Sequence, residues 1–435
     1  MKILDGRRRG SRTVFGVLTF FVTTTVLAGC GTTVTGKPEA GEFDIRKLSV
    51  GTYPIDPIDV RASYTHSPSS GRELAIGRLA DAVAVGPDVD PSFNHGVISV
   101  NLQVTVGINL VLSDAAKPVA VRNNMMFGYA ASASTKPLST AQDPGSLLIF
   151  SPFGGMKPDP DATSFNVTVL QFPDQQRAAA AAEQMEAADF DVAPDQNQRV
   201  SLDKYPEAKA HWRPGIPSMG TSVAHDRYVV NVFVQQPSPD VAGLKSLTEK
   251  VLAAQLPLLD HAPALSPRDV LRLDYDPQGL LRRTLHPGTY PAPDAENELT
   301  RTPRGFLHQV DDQAKWKTLL DDNGVDSIAT TRNGALLMRA RDPNAAAALW
   351  SGITSAAGTP ANQPTDVPDT ACSETTTPVT KPQRYDDEQA WDKSDRFLCT
   401  LHYGRYVARV AGTQLADVIQ RAGAQYALLA NSQYM

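Results

Sequence analysis

The amino-acid sequence predicts an α+β protein of two related halves, each a ferredoxin-like α/β sandwich, with an extra β-rich insertion in the first. Three observations carry this expectation. Leu48-Ser49-Val50-Gly51-Thr52-Tyr53-Pro54 returns as Leu285-His286-Pro287-Gly288-Thr289-Tyr290-Pro291, five of the seven residues being identical in register. A strand-like stretch, 165–172, leads through Asp174 into an alanine-rich helix, and 335–341 leads through Asp342 into another. Arg227-Tyr228-Val229 returns as Arg405-Tyr406-Val407, each time running through a strand into an amphipathic helix. The order is the same in both copies, at offsets of 237, 168 and 178 residues, as two versions of one supersecondary plan require.

The chain opens on Lys2, Arg7, Arg8, Arg9 and Arg12, followed by an apolar run from 13 to 28 that is short for a membrane span of about 20 residues. That pattern predicts a signal peptide over residues 1–29. Leu27-Ala28-Gly29-Cys30 resembles the lipobox of bacterial lipoproteins. The resemblance implies that Cys30 carries the lipid and becomes the first mature residue, with diacylglycerol on its thiol and often an acyl chain, such as palmitate, on its amine. Two or three acyl chains hold a protein to a bilayer stably where one does not. The arginine triplet also invites a twin-arginine export reading, but an ordinary basic start accounts for it more simply. Residues 30–44 then read as a lipidated tether, flexible over the Gly/Thr/Pro-rich stretch 31–42.

Losing residues 1–29 removes five cations and one carboxylate, so the net charge of −6 becomes −10. Such a chain repels phosphate backbones, which argues against nucleic acid as a partner. The 406 remaining residues exceed what one core usually serves, so two domains are expected, 45–280 and 281–435.

In the first domain the pattern predicts strand 164–172, helix 174–189, strands near 207–213 and 219–235, helix 240–257 and strand 269–275. Ala178, Ala181, Ala182 and Met185 fall at i, i+3, i+4 and i+7, so one stripe of the helix faces a sheet. Tyr228, Val230, Val232 and Val234 alternate along one face of a strand whose other face, with Val229 and Phe233, is also apolar, as in a strand covered on both sides. Strand, helix, paired strands, helix and strand is the ferredoxin-like order. The unequal offsets place the insertion at about 90–150. Within it, 94–121 is apolar and nearly uncharged, and reads either as two or three buried strands or as a groove for an acyl chain. Residues 258–268, with Pro263 and Pro267, read as the exit from the first domain.

In the second domain Leu415, Val418, Ile419, Ala422, Tyr426 and Leu429 form the closing helical stripe. A Pro/Thr-rich loop, 354–395, interrupts this copy and holds Cys372. With Cys30 assigned to lipid, Cys372 and Cys399 are an even pair in an exported chain, and one disulfide between them would pin that loop.

Lipobox, paired Gly-Thr-Tyr-Pro segments, alanine-rich helix, Arg-Tyr-Val strands and late cysteine pair together resemble an uncharacterised cell-envelope lipoprotein family of mycolate-bearing actinobacteria, over the whole mature chain. The resemblance implies an address and a two-part α+β fold. It supplies no activity and no catalytic residues.

Motifs of chemistry are decoys. Gly215-Ile216-Pro217-Ser218-Met219-Gly220 departs from a nucleophile elbow because Ser218 has two residues before it where one is required. Ser201-Leu202-Asp203-Lys204 fits S-x-x-K, but the companion S-D-N and K-T-G are absent. The histidines His66, His95, His211, His225, His261, His286, His308 and His402 show no metal-helix spacing, although His211 and His225 could approach across neighbouring strands. Asp159 and Asp161 lack the glycine and glutamate of a calcium loop.

No cofactor, metal or catalytic residue is therefore assigned. Two function classes remain: a non-enzymatic module on the extracytoplasmic face of the membrane, binding or sensing an apolar ligand or a protein partner of the envelope, and an envelope hydrolase or transferase. The missing triad, metal cluster and phosphate loop favour the first. A mouth collecting His211, His225 or Ser218 with a carboxylate would favour the second, and the place to look is between the halves or in 90–150.

Overall fold

The computed structural model describes residues 43–103, 107–137, 159, 161–288, 292–332, 334–374 and 395–433. The expected signal peptide, Cys30, the tether 31–42 and Thr289-Tyr290-Pro291 of the second repeat lie outside these residues.

The first half runs α1 (Pro68–Ala80), α2 (Gly86–Val89), β1 (His95–Leu102), α3 (Ile108–Val111), α4 (Ala116–Arg122), β2 (Phe127–Ser134), β3 (Ser164–Gln171) and α5 (Gln175–Phe190). It continues with β4 (Gln198–Val200), β5 (Lys209–Trp212), β6 (Ser218–His225), β7 (Tyr228–Gln235), α6 (Val241–Asp260) and α7 (Pro267–Val270). The second half runs β8 (Leu299–Arg301), α8 (Pro303–Leu307), α9 (Gln313–Asp322), β9 (Ser327–Thr330), β10 (Ala335–Arg339) and α10 (Pro343–Thr354). It closes with β11 (Thr359–Pro360), β12 (Thr370–Glu374), β13 (Phe397–Tyr403), β14 (Tyr406–Gly412) and α11 (Leu415–Asn431).

Each half builds one seven-stranded antiparallel sheet, in the order β1-β2-β3-β7-β6-β5-β4 and β8-β9-β10-β14-β13-β12-β11. The two orders are the same strand for strand. Register agrees too: Gln171 faces Tyr228 and Val167 faces Val232, while Arg339 faces Tyr406 and Ala335 faces Val410, at the offsets of 168 and 178 read from the sequence. The two Arg-Tyr-Val segments thus occupy the same place in their sheets.

Local chemistry explains the matching elements. The carboxylates of Asp174 and Asp342 accept from the backbone N–H of Arg177 and Ala345, capping α5 and α10. Ala178, Ala181, Ala182 and Met185 are buried under α5 on one face of the first sheet, against Leu170 and Val229. Val230, Val232 and Val234 point the other way, towards Leu244, Val251 and Leu252 of α6. In the second half α10 covers Leu336, Met338 and Val407, and α11 covers Leu337, Ala408 and Val410. The predicted strand 219–235 is a hairpin instead, broken at Asp226, whose φ of 50° is matched by 53° at Gly404 in the second copy.

Five expectations are corrected. Residues 269–275 form no strand; 267–270 are helical, and the sheet position beside β3 that a ferredoxin-like unit gives its fourth strand is held by β2, from earlier in the chain. Segment 90–150 is not a β-rich addition in its described part, because β1 and β2 hold the positions of β8 and β9. Among the described residues of 94–121, 95–102 form a strand while 108–111 and 116–122 are helical rather than further strands; Val97, Val100, Leu102, Ile108 and Val119 are buried in core packing, and 109–113 line a cleft over the outer face of the first sheet. Residues 258–268 are not a loose exit, since Tyr228 and Gln171 hydrogen-bond the backbone of Ala262 and Leu265. Cys372 lies in a strand of its own, β12, directly opposite Cys399 on β13, with the two sulfurs at disulfide distance.

Candidate functional site

The sheet register assembles a polar patch on the outer face of the first sheet. His211 of β5 faces Gly220 of β6, Gly220 faces Phe233 of β7, and Phe233 faces Asn166 of β3. Two residues along, Ser222 faces Asn231, and Asn231 faces Thr168. Alternation puts both rows opposite Val167, Val223, Val230 and Val232, which point into the central core.

Helix α5 forms one wall of a cleft over this patch, with Glu186 and Asp189 one turn apart, and residues 109–113 form another. Gly220 keeps the floor open: a methyl group there would meet only ordinary contacts, 3.7 Å from His211 Cε1 and 3.8 Å from Asp189 Oδ2. The cavity measures about 250 Å³.

Buried polar atoms without a hydrogen bond gather at this cleft: Asn166 Nδ2, Asn231 Nδ2, Ser222 Oγ and Ser113 Oγ. Asn166 is only 2% exposed and Ser222 1%, and the Asn166 carbonyl oxygen is already used, accepting from Thr168. Each such atom costs about 1–3 kcal/mol while unpaired.

Electrostatically the cleft is acidic. Glu186, 5% exposed, receives Arg199 Nη1 at 2.7 Å on Oε2, while its Oε1 stands 3.4 Å from His211 Nδ1, outside hydrogen-bond geometry. His211 Nε2 is 3.6 Å from Asp189. Burial by itself would raise the Glu186 carboxyl, but His211 and Arg199 more than offset it and hold the group below its ordinary value. Glu186 is therefore a fixed acceptor.

The second half differs at the matching positions. In its register Leu398 stands where Gly220 does and Arg409 where Asn231 does. Arg409 lies over the Trp316 ring at 5.7 Å.

Of the histidines and serines singled out from sequence as candidate chemistry, His211 enters the cleft, beside Met185, Phe233 and residues 109–113 of the apolar stretch. His225 sits at the hairpin end of β6, 2.7 Å from Asp260, so the two histidines are not brought together. Ser218 opens β6 opposite Gln235, outside the cleft. Of the S-x-x-K stretch, Ser201, Asp203 and Lys204 are exposed and Leu202 is buried in the core, and Asp203 and Lys204 donate their backbone N–H groups to Glu249. Asp159 and Asp161 both face Lys136, at 3.5 and 3.7 Å. Among the described residues no His, Cys, Asp and Glu side chains group as metal ligands would. Sequence reasoning missed Asn166 and Asn231, although a lone Asn in the apolar run Tyr228-Val229-Val230-Asn231-Val232 is a signal.

Fold and cleft define a duplicated two-sheet α+β protein with a cleft over the outer face of its first sheet. Residues 62–275 match the family model described as domain of unknown function (DUF7373) N-terminal, and 280–432 match DUF7373 C-terminal. The two models together span most of the chain, which belongs to the DUF7373 family. No curated protein matches it. Among solved structures, the extracellular domain of PknH from Mycobacterium tuberculosis is similar at 10% identity and a TM-score of 0.26, over 40% of this chain and 91% of that one.

Proposed function

We propose that this protein is a cell-envelope lipoprotein, held on the extracytoplasmic face of the membrane by lipid on Cys30, that binds a ligand in the first-half cleft and senses it or passes it on. The observation that supports binding is the open cavity of about 250 Å³ over the first sheet, lined by Glu186, Asp189 and His211 beside Leu110, Val111, Met185 and Phe233. Residues 109–113 of the apolar stretch 94–121 form one wall of this cleft, while Val97, Val100 and Leu102 are packed in the core. No described helix is long and apolar enough to cross a membrane, so on this reading the lipid does the anchoring.

A second reading, hydrolysis, draws on His211 standing between Glu186 and Asp189. It is the weaker one, because an acid catalyst needs a carboxyl raised towards neutrality and Glu186 is lowered.

The test is native mass spectrometry of the full chain purified from its own membrane, beside Cys30→Ala. The expected result is a bound species on the wild type, and a Cys30→Ala protein that leaves the membrane fraction. An empty wild-type cleft, filled by nothing from a total envelope extract, would sink the binding reading, and unchanged partition of Cys30→Ala would sink the anchor.

A further inference from the structure

We infer that a second cavity, at the end of the first sheet and on the face opposite the cleft, takes an alkyl chain with an anionic head, held at the rim by Arg78. The sheet register builds it: Phe127 of β2 faces Gln171 of β3, and Gln171 faces Tyr228 of β7. Phe127 and Tyr228 belong to the central core on the α6 side of the sheet, whereas the cleft lies on the α5 side. Helix α1 and residues 258–265, at and beyond the end of α6, border this row around an open cavity of about 360 Å³. That lies within the roughly 300–1,000 Å³ of small-molecule sites.

The wall is apolar because its polar groups are already paired. Gln171 donates from Nε2 to the Leu265 carbonyl at 2.8 Å and accepts from the Leu265 N–H at 3.0 Å, and the Tyr228 hydroxyl donates to the Ala262 carbonyl at 2.9 Å. What remains is carbon: Ala75, Leu79 and Phe127 are buried, while Leu258, Pro263 and Leu265 are partly or fully exposed. An alkyl chain laid against them strands no donor or acceptor.

The rim supplies the charge. Arg78 of α1 is exposed and makes no ion pair or side-chain hydrogen bond among the described residues. His261, also exposed at the rim, adds a ring N–H. Asp81, the carboxylate in the lining, is turned to Thr302: its Oδ1 accepts from the hydroxyl at 2.6 Å and from the N–H at 3.2 Å. Burial also raises its carboxyl, which weakens the charge opposing an anion. The acidic charge of the rest of the chain is screened beyond about 8 Å at physiological salt, so a head group at this rim meets Arg78 first.

Charge complementarity then selects among apolar ligands. An alkylamine is repelled by Arg78 and an alcohol leaves its charge unmatched, whereas a carboxylate or a phosphate accepts from its planar fork of N–H groups. A small hydrophilic anion gains nothing from the wall. The cavity shares no lining residue with the cleft, so the two sites stand or fall separately.

The test titrates the full chain calorimetrically in lipid nanodiscs, with protein-free nanodiscs as the blank. The probes are decanoate, decyl phosphate, decylamine, decanol and acetate. Decanoate or decyl phosphate is expected to bind at least tenfold tighter than decylamine or decanol, the tighter of the two identifying the head, and acetate should not bind. Arg78→Gln, at an exposed position, should weaken the anion tenfold or more and leave decanol unchanged. Ala262→Phe, which narrows the cavity, should weaken every alkyl probe, and Gly220→Val, which narrows the cleft on the other face, should change none. Thermal melting checks that the variants fold; should Ala262→Phe fail, Arg78→Gln carries the comparison. Decylamine or decanol binding as tightly as the anions would overturn the inference, as would anion binding that survives Arg78→Gln or is lost in Gly220→Val. Binding by neither anion would overturn it too, and would leave the cleft untouched.

Discussion

At the scale of single residues, the molecule contains polar groups that burial has taken out of their ordinary chemistry. His308, 2% exposed, donates from Nε2 to the carbonyl of Ala80 and lies edge-on to Tyr129, so it ties the second half to the first. Burial, with Arg304 nearby, pushes its imidazole down to about 4. The unfolded chain takes up a proton near 6.5 and the folded chain does not, so this contribution is complete above 6.5 and is lost as pH falls towards 4. The loss is of order 3 kcal/mol. His286 works in the opposite direction: Glu298, 3.1 Å away, raises it, and what it contributes is lost as pH rises through its folded value. Urea unfolding between pH 7 and 4 should therefore show a stability slope that flattens in His308→Gln. An unchanged slope would assign the acid loss to other groups. The sequence marked these histidines only as unpaired in motif, since their surroundings come from distant segments. The cleft was hidden for the same reason: Asn166 and Asn231 are 65 positions apart and become neighbours through strand pairing.

Secondary-structure elements were more legible, because caps and periodicity are local. Asp174 and Asp342 announced their helices, and the spacing of Arg-Tyr-Val located matching hairpin arms. What escaped was the origin of the strand beside β3 and the short edge strands β4 and β11, where few residues carry the pattern. The cysteine pair shows both sides of this. Export and even number suggested the bond, but composition placed Cys372 in a loop, whereas Ala371 and Cys372 extend the sheet opposite Thr400 and Cys399. With 27 positions between the partners, a closed bond restricts the unfolded chain enough to add about 3 kcal/mol. Non-reducing peptide mapping should recover the two cysteines in one linked species, and reduction should lower the melting temperature. Recovery of both as free thiols from unreduced protein would contradict this.

The whole molecule is less divisible than its repeat suggests. Leu74, Val230 and Leu252 of the first half share one apolar cluster with Leu337, Val410 and Ala422 of the second. The first Gly-Thr-Tyr-Pro segment lies along α11: Tyr53 donates to Asp417 at 2.6 Å, and Asn431 donates to the Ile55 carbonyl at 2.8 Å. Residues Asp44–Met435 accordingly form one compact unit. Calorimetry should show a single cooperative transition for both halves, and a chain ending at 280 should melt far lower or not fold. Two separate transitions would mean that the shared cluster is not cooperative. The shared core also dictates a schedule. Helix α11 is the last described helix in the chain, and its Ala422, Ala424, Tyr426 and Leu429 fill the same cluster as α1, the first. Synthesis delivers residues in order, at about 5–20 per second. On the proposed export route the chain also emerges across the membrane in order, so the earliest helix must wait for its last neighbour, and the native core closes only after nearly all of the chain has crossed.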